Sequence, residues 1–359
     1  MKIAILHDSF DVLGGAEISL LYLAKGLQAT IFTTNIDFDA IKKLGFNEVK
    51  IKSIGKVPNI DNIKQPLTKI KFWTLKLKGF DLFIFGGCYS IFASARNQPN
   101  LWLCFSPLKG LYLPEKKVSE FIKSHIVKIQ KAIDKGAVKK IGRIIASSKN
   151  VQKRIKDIYA IDSVVVYLPI ETKIFYCNSP QDYWLSLARI DPYKRIEMQV
   201  EAFKSLKDKK LMIVGGASKF HQNYFEQIKK TALDNVEFAG PVFDKEKIKN
   251  LYANCRGFIT TSKDEDFGMN VVEAMASGKP VIAPNEGGYK ETIINGKTGT
   301  LIDNIDEDKL AQAIEEMDKK IQANPLSFKN ACQEQAKRFD VEVFIGGVTR
   351  EINDVLKNG

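Results

Sequence analysis

Glu265 and Glu273 stand eight positions apart in the run Asp264-Glu265-Asp266-Phe267-Gly268-Met269-Asn270-Val271-Val272-Glu273. An apolar stretch ending near Thr261 reads as a strand, and a polar loop carrying Glu265 follows it. Gly268 then lets the backbone turn tightly into a helix. A helix start presents unpaired N–H groups and the positive end of the dipole, which suits a phosphate or a sugar hydroxyl. Glu273 falls one turn into that helix, so both carboxylates are expected to face one cleft. Each can accept two hydrogen bonds from neighbouring hydroxyls, the pattern that recognises a diol. Gly278 stops the helix before the next buried strand.

Two cations occupy a second short loop, Leu187-Ala188-Arg189-Ile190-Asp191-Pro192-Tyr193-Lys194. The spacing predicts Arg189 at a strand end and Lys194 opening the following helix. A planar guanidinium and a point-charge ammonium so placed can close on a diphosphate and stabilise negative charge as it grows. A third segment, Asp11-Val12-Leu13-Gly14-Gly15-Ala16-Glu17, follows the first strand. Gly14 and Gly15 permit close backbone approach, with a helix N-terminus expected at Ala16. It lacks the full G-x-G-x-x-G spacing, which weakens a nicotinamide-binding reading. Gly215 and Gly216 end another strand and can approach a nucleotide.

These residues must be positioned by an alternation of strand and helix, the pattern of parallel sheets with crossover helices. Strands are expected at Ile3–Leu6, Thr30–Thr33, Val49–Ile54, Leu82–Phe85, Leu101–Phe105, Ile144–Ala146 and Val164–Leu168. Helical spacing marks Ala16–Leu27, and Glu115–Lys140 reads as a long basic helix. The pattern restarts with strands at Trp184–Leu187, Leu211–Val214, Val236–Phe238, Phe258–Thr261 and Val281–Ala283. Helices are expected at Arg195–Leu206, Tyr224–Leu233, Glu246–Ala253 and Asn270–Ser277, with a terminal helical region over Asp306–Lys357. The aperiodic stretch Tyr167–Pro180 is the linker candidate. The expected architecture is α/β, with two doubly wound domains at 1–168 and 169–340, a cleft between them, and a last helix at 341–359 that packs back on the first domain. A chain of 359 residues suits two cores. Ligands in such sheets sit beyond the carboxyl ends of the strands.

Composition narrows the class. Hydrophobic residues make up 45% and charged residues 27%, the mix of a globular chain. No apolar run reaches the roughly 18 residues of a membrane span, and the start is too short for a signal peptide, so a cytoplasmic protein is expected. The five cysteines, Cys88, Cys104, Cys177, Cys255 and Cys332, show neither disulfide nor zinc-ligand spacing. Only three histidines, His7, His125 and His221, are present, too few for a histidine-rich metal site. The net charge of +12 is uneven: residues 1–168 hold 27 Lys/Arg against 13 Asp/Glu, a balance of +14, leaving −2 for the rest. The first half is therefore expected to meet something anionic. Within it, Lys64, Lys69, Lys71, Lys76 and Lys78 interleave with Ile70, Phe72, Trp73, Leu75 and Leu77. That pattern fits an interfacial helix on anionic lipid at the inner face of the cell membrane, or equally a core face with solvated lysines. No nucleic-acid module accompanies the charge.

The Glu265…Glu273 run resembles the E-x7-E motif of glycosyltransferase family 4, the retaining group 1 enzymes, in a mannosyltransferase-like subgroup. The resemblance implies a GT-B fold of two Rossmann-like domains facing a central cleft. It also implies a metal-independent hexosyltransferase whose co-substrate is a nucleoside-diphosphate sugar of the GDP-mannose or UDP-hexose type, with no cofactor. The acceptor it implies is a hydroxyl of a glycan or a polyprenyl-linked precursor. By the same resemblance Glu273 binds the donor ribose, while Glu265 and the Phe267, Gly268, Met269 and Asn270 backbone meet the transferred sugar. Arg189 and Lys194 match the cationic pair that neutralises the leaving diphosphate, and Gly14 and Gly15 match a loop at the donor phosphate. Backbone near Val242 would read the base, and Gly287, Gly288 and Glu291 resemble the G-G-x-x-E tail. The Asp264–Asp266 pair looks like a DxD metal site, a use this family does not make of it. One departure concerns the acceptor side: Phe105 stands where the subgroup has a histidine, and Lys109 where it has an arginine. His7 is the candidate substitute. The architecture is shared with nucleotide-sugar epimerases and phosphorylases, and a donor-binding protein without catalysis is a further alternative.

Overall fold

The computed structural model describes residues 1–60, 63–112 and 121–358, with the side chains of 121–124 and 358 left aside. The chain divides into two compact units, Met1–Pro169 with Glu342–Gly359, and Ile170–Val341. The first six residues of the basic helix expected over Glu115–Lys140 lie outside the described residues; the rest forms Phe121–Val138.

The first unit is built on seven parallel strands: β1 (Ile3–Leu6), β2 (Thr30–Thr33), β3 (Lys50–Ser53), β4 (Leu82–Phe85), β5 (Asn100–Cys104), β6 (Arg143–Ala146) and β7 (Val164–Val165). Their order is β3-β2-β1-β4-β5-β6-β7, so the chain reverses its direction of travel across the sheet between β1 and β4. Strands β1 and β4 are buried throughout, which is why they read as unbroken apolar runs rather than alternations. One face of the sheet carries Leu20, Leu21 and Leu23 of the Gly15–Leu27 helix, together with Phe344, Val348 and Ile352 of the Val341–Asn358 helix. The other face carries Phe72 of the Lys64–Thr74 helix and Val138 of the Phe121–Val138 helix, packed with Ile91, Phe92 and Trp102.

The second unit repeats the plan with β8 (Trp184–Leu187), β9 (Leu211–Val214), β10 (Val236–Gly240), β11 (Phe258–Ile259), β12 (Val281–Pro284) and β13 (Gly299–Ile302). All pair in parallel, in the order β10-β9-β8-β11-β12-β13. This is the doubly wound arrangement, and its switch point falls between β8 and β11.

Several elements differ from expectation. β13 had no clear signature, because Gly299-Thr300-Leu301-Ile302 is short and follows a turn-rich Asn-Gly-Lys-Thr stretch. The terminal helical region is three helices, Glu307–Ala323, Lys329–Lys337 and Val341–Asn358. Pro325 lies just past the first of these, where it cannot continue a helix. β7 keeps only two of its expected five residues. The Tyr167–Pro180 stretch is pinned by a bridge from Ile170 to Asp340 and a short turn at Thr172–Ile174.

Candidate active site

Both clusters of interest sit just beyond the carboxyl ends of the two strands that flank a switch point, one cluster in each unit. In the second unit, the loop after β8 carries Arg189 to Lys194, and the loop after the adjacent β11 carries Glu265. Backbone contacts clamp the two loops together. The Lys263 N–H donates to the Tyr193 carbonyl at 2.9 Å, and the Thr261 hydroxyl donates to the Lys194 carbonyl at 2.7 Å. The side chains meet as a result: Lys194 Nζ lies 2.6 Å from Glu265 Oε2. The side chains of this pair are 14% and 22% exposed, so it is largely shielded while staying reachable.

Lys194 does not open a helix. Pro192–Lys194 forms a single tight turn, Arg195 takes a left-handed backbone at φ +51°, and the next helix is Ile196–Ser205. Proline at the first turn position and a left-handed exit explain the extra residues. Arg189 does not join Lys194 directly either. Its guanidinium is 72% exposed, donates to the Tyr193 hydroxyl at 2.6 Å, and stands 3.6 Å from Asp191. Lys194 Nζ rests 5.0 Å from the centre of the same Tyr193 ring, so Tyr193 lies between the two cations.

The Met269–Ala276 helix starts from Gly268, whose φ of +85° a residue with a Cβ adopts only under strain. Phe267 is buried against Phe339, so only its backbone can face a ligand. The Asn270 side chain donates to the Leu187 carbonyl at 2.8 Å and accepts from the Val271 N–H, tying this helix to the end of β8. Met269 is half-buried at the first helical position. Glu273 is half-buried, and one carboxylate oxygen accepts a 2.9 Å hydrogen bond from the Tyr252 hydroxyl. Burial raises the Glu273 pKa, and the Tyr252 hydrogen bond opposes that rise. Among the described residues the hydrogen-bond partner of the Glu273 side chain is Tyr252 rather than the Lys194–Glu265 pair.

The glycine loops are locked to this frame. The Gly215 N–H donates to the Gly240 carbonyl at 2.9 Å, and the Gly216 carbonyl accepts from the Ile190 N–H at 3.0 Å. A Cβ on Gly215 would stand 1.8 Å from the Ala188 carbonyl oxygen, so the β8 and β9 loops touch only because it is glycine. Val242 is half-buried two residues past Gly240. The Gly288 N–H donates to the Glu265 carbonyl at 2.8 Å, which anchors the Glu265 loop to the Gly287–Glu291 segment. Among the described residues, no group of three or more His, Cys, Asp or Glu side chains is arranged to hold a metal ion.

Four partners escaped the sequence reading. Tyr252 holds Glu273. Glu286 accepts from both Arg195 terminal nitrogens near 3.2 Å and also from the Asp264 N–H, which fixes the loop bearing Glu265. Asp191 is 3% exposed and contacts His221 Nδ1 at 2.7 Å as well as Arg189. Nothing local in the sequence announced these pairs.

In the first unit, Glu17 is the fourth such partner. His7 follows β1, and its Nε2 lies 2.8 Å from Glu17 Oε1. The other Glu17 oxygen accepts from the Gly14 N–H at 2.9 Å, so this side chain ties the glycine turn to the histidine. Gly14 is the N-cap of the helix and Gly15 its first residue, one position earlier than expected. His7 is 6% exposed. Burial works against its charged form, but the Glu17 hydrogen bond and the charges of Glu17 and Asp8 prevail and raise its pKa. Glu17 shifts the opposite way: burial raises its pKa, and the His7 contact outweighs this and lowers it. Asp8 accepts from the N–H groups of Cys88, Tyr89 and Ser90 beyond β4. Phe105 packs on the core of its own unit, and Lys109 is exposed at the start of the Lys109–Tyr112 turn of helix. Among the described residues the side-chain hydrogen-bond partner of His7 is Glu17 rather than Lys109.

Residues 172–338, which contain Arg189, Lys194, Glu265 and Glu273, match the family described as glycosyl transferases group 1. The chain carries a group 1 glycosyl transferase domain. An uncharacterised glycosyltransferase of Methanocaldococcus jannaschii is 26% identical over 58% of this chain and 58% of its own length. This chain thus spans less than two thirds of that relative. An alpha-1,3/1,6-mannosyltransferase of Candida glabrata is 25% identical over 92% of this chain and 87% of its own length. Among solved structures, Anabaena HepE in complex with UDP superposes with a TM-score of 0.78 at 20% identity, covering 99% of this chain and 100% of that one. That likeness is one of fold: the transferase domain and its partner unit are the two Rossmann-like α/β domains of the GT-B type.

Proposed function

We propose that this protein transfers a hexose, with retention of anomeric configuration, from a nucleoside-diphosphate sugar to a hydroxyl of a glycan or lipid-linked acceptor. The observation that carries the reading is the Lys194–Glu265 pair, 2.6 Å apart beyond the adjacent strands β8 and β11. It sets a cation and a carboxylate in the crevice where doubly wound sheets bind nucleotides.

In this reading the diphosphate lies against Lys194 and draws in the exposed Arg189 guanidinium, which Tyr193 holds nearby. As the C1–O bond lengthens, its electron pair moves onto the departing diphosphate, and the two cations stabilise that charge. The acceptor oxygen bonds to C1 from the same face, and its proton passes to a phosphate oxygen of the leaving group. Glu265 keeps Lys194 oriented and meets the hydroxyls of the transferred sugar. Glu273, held by Tyr252, accepts from the ribose diol. In the first unit, the His7–Glu17 pair is the proposed acceptor-side contact.

A relative of Mycobacterium tuberculosis described as a GDP-mannose-dependent mannosyltransferase, 33% identical over 36% of this chain, and the UDP-bound structural neighbour point to different nucleotides. The test therefore begins with thermal stabilisation by UDP-glucose and by GDP-mannose. Transfer to soluble and polyprenyl-linked acceptors follows, with the product anomer read by NMR. Lys194→Ala and Glu265→Ala are expected to lose transfer while remaining folded. An inverted anomer, or undiminished transfer in both variants, overturns the proposal. A free sugar isomer formed without acceptor would make the protein an epimerase.

A further inference from the structure

The first unit displays two apolar stripes that its own core does not use. The Lys64–Thr74 helix buries Thr68 and Phe72 against the sheet. On its far side Ile63, at the N-cap, Ile70 and Trp73 are 45%, 53% and 52% exposed. The spacing of seven and then three residues places all three on one helical face. The Phe121–Val138 helix repeats the device: Asp134 and Val138 face inward, while Ile126, Ile129 and Ile133 are 50%, 59% and 40% exposed. Their spacing of three and four residues again makes a single stripe. β-Branched apolar side chains have no reason of their own to line the wet side of a helix, and two such stripes form more than the scattered exposure usual on a protein surface.

The helices are neighbours on one face of the sheet. Phe72 and Val138 belong to the same buried cluster. Lys69 of the first helix lies 4.9 Å from the centre of the Phe92 ring, and its charge acts on Asp134 of the second. The Arg96 guanidinium donates to the Trp73 carbonyl at 2.7 Å, holding the end of the first helix in place. Both stripes therefore look away from the same side of the sheet.

Charge identifies what they meet. Residues 63–80 hold five lysines and no acidic residue. Residues 125–140 hold five lysines and one acid, Asp134, which is only 2% exposed and bound by the Tyr112 and Tyr159 hydroxyls. We infer that this face docks on an anionic lipid bilayer, with the isoleucines and Trp73 entering the headgroup boundary and the lysines meeting lipid phosphates. A second copy of the chain is the poorer occupant, because a symmetric contact would set each group of lysines against its like. Nucleic acid is poorer too, since stripes of isoleucine offer neither stacking platforms nor hydrogen bonds to bases. The inference does not rest on the transferase reading, because it uses none of the residues placed in that site.

The experiment is co-sedimentation of the full chain with vesicles of phosphatidylcholine alone and of phosphatidylcholine mixed with phosphatidylglycerol, at low and high salt. Binding is expected to the mixed vesicles only, and to weaken as salt rises. The variants Ile129→Ser with Ile133→Ser, and Trp73→Ser with Ile70→Ser, are expected to weaken it at least about tenfold each with the melting temperature unchanged. Blue-shifted Trp73 emission on vesicle addition, read against Trp73→Phe, places the helix in the interface. Three outcomes overturn the inference: no binding to the mixed vesicles, equal binding by the variants, or self-association or nucleic-acid binding that the same variants abolish.

Discussion

Replacing Tyr252 with phenylalanine removes a single oxygen atom from a fully buried ring and leaves its packing against Phe175 and Phe258 intact. What is lost is the 2.9 Å hydrogen bond to Glu273 Oε2. A hydrogen bond to a charged group contributes about 1.5–3 kcal/mol. Burial already raises the Glu273 pKa, and Tyr252 is the influence that opposes the rise. Without it the folded carboxyl titrates higher still, and the charged form able to accept two ribose hydroxyls is less favoured. Nucleoside-diphosphate affinity is expected to fall about tenfold, close to the lower end of that range. Isothermal titration with UDP and GDP across a pH series measures it, and steady-state rates should show the donor KM rising with kcat little changed. The signature lies in the pH dependence: the loss should shrink as pH rises and Glu273 regains its charge. An affinity loss of equal size at every pH, or a lower melting temperature with affinity intact, would refute the reasoning and leave Tyr252 a packing residue.

Three further expectations follow from the same geometry. Glu265→Gln leaves Lys194 Nζ without its carboxylate 2.6 Å away, and the freed ammonium should bind the diphosphate more tightly while transfer falls at least about a hundredfold; tighter product binding with undiminished turnover would contradict it. Gly215→Ala forces a Cβ to within 1.8 Å of the Ala188 oxygen at a φ of +149°, which should cost about 3 kcal/mol or more, read as a lower urea midpoint at constant m-value. The third concerns pH. The folded pKa of His7 is raised from 6.5, so its share of stability is full below 6.5 and is lost as pH climbs through the higher folded value. The folded pKa of Glu17 is lowered from 4.5, so its share is full above 4.5 and is lost as pH drops through the lower value. The pair thus stabilises most between 4.5 and 6.5, and the gap in unfolding free energy between the protein and Glu17→Gln should narrow as pH is raised beyond that window; a constant gap would exclude the charged pair.

What the sequence discloses depends on the range over which each feature is encoded. Leu82–Phe85 and Leu211–Val214 were legible as strands because burial on both faces leaves a continuous apolar run. The turn at Gly268 and the helix behind it were legible because one residue type suits that backbone. The join between Lys194 and Glu265 spans 71 residues and follows from β8 lying beside β11, which no local pattern records. The same holds for Tyr252 with Glu273 and for Arg195 with Glu286. The placement of Lys194 failed for a local reason: Pro192 and a left-handed Arg195 delay the helix to Ile196. The isoleucines at 126, 129 and 133 escaped the reading of this segment as a basic helix, because their spacing does not tell which side of a helix is wet.

Phe344, Val348 and Ile352, all but inaccessible to solvent, complete a core begun by Ile3, Ile5 and Leu20. More than three hundred positions separate the two contributions, and the entire second unit is made in the interval. On the ribosome the first unit must therefore wait with one side of its sheet only partly covered, by the Gly15–Leu27 helix, until the second unit has been synthesised. The interior unit can fold ahead of it, so the order of completion runs against the order of synthesis.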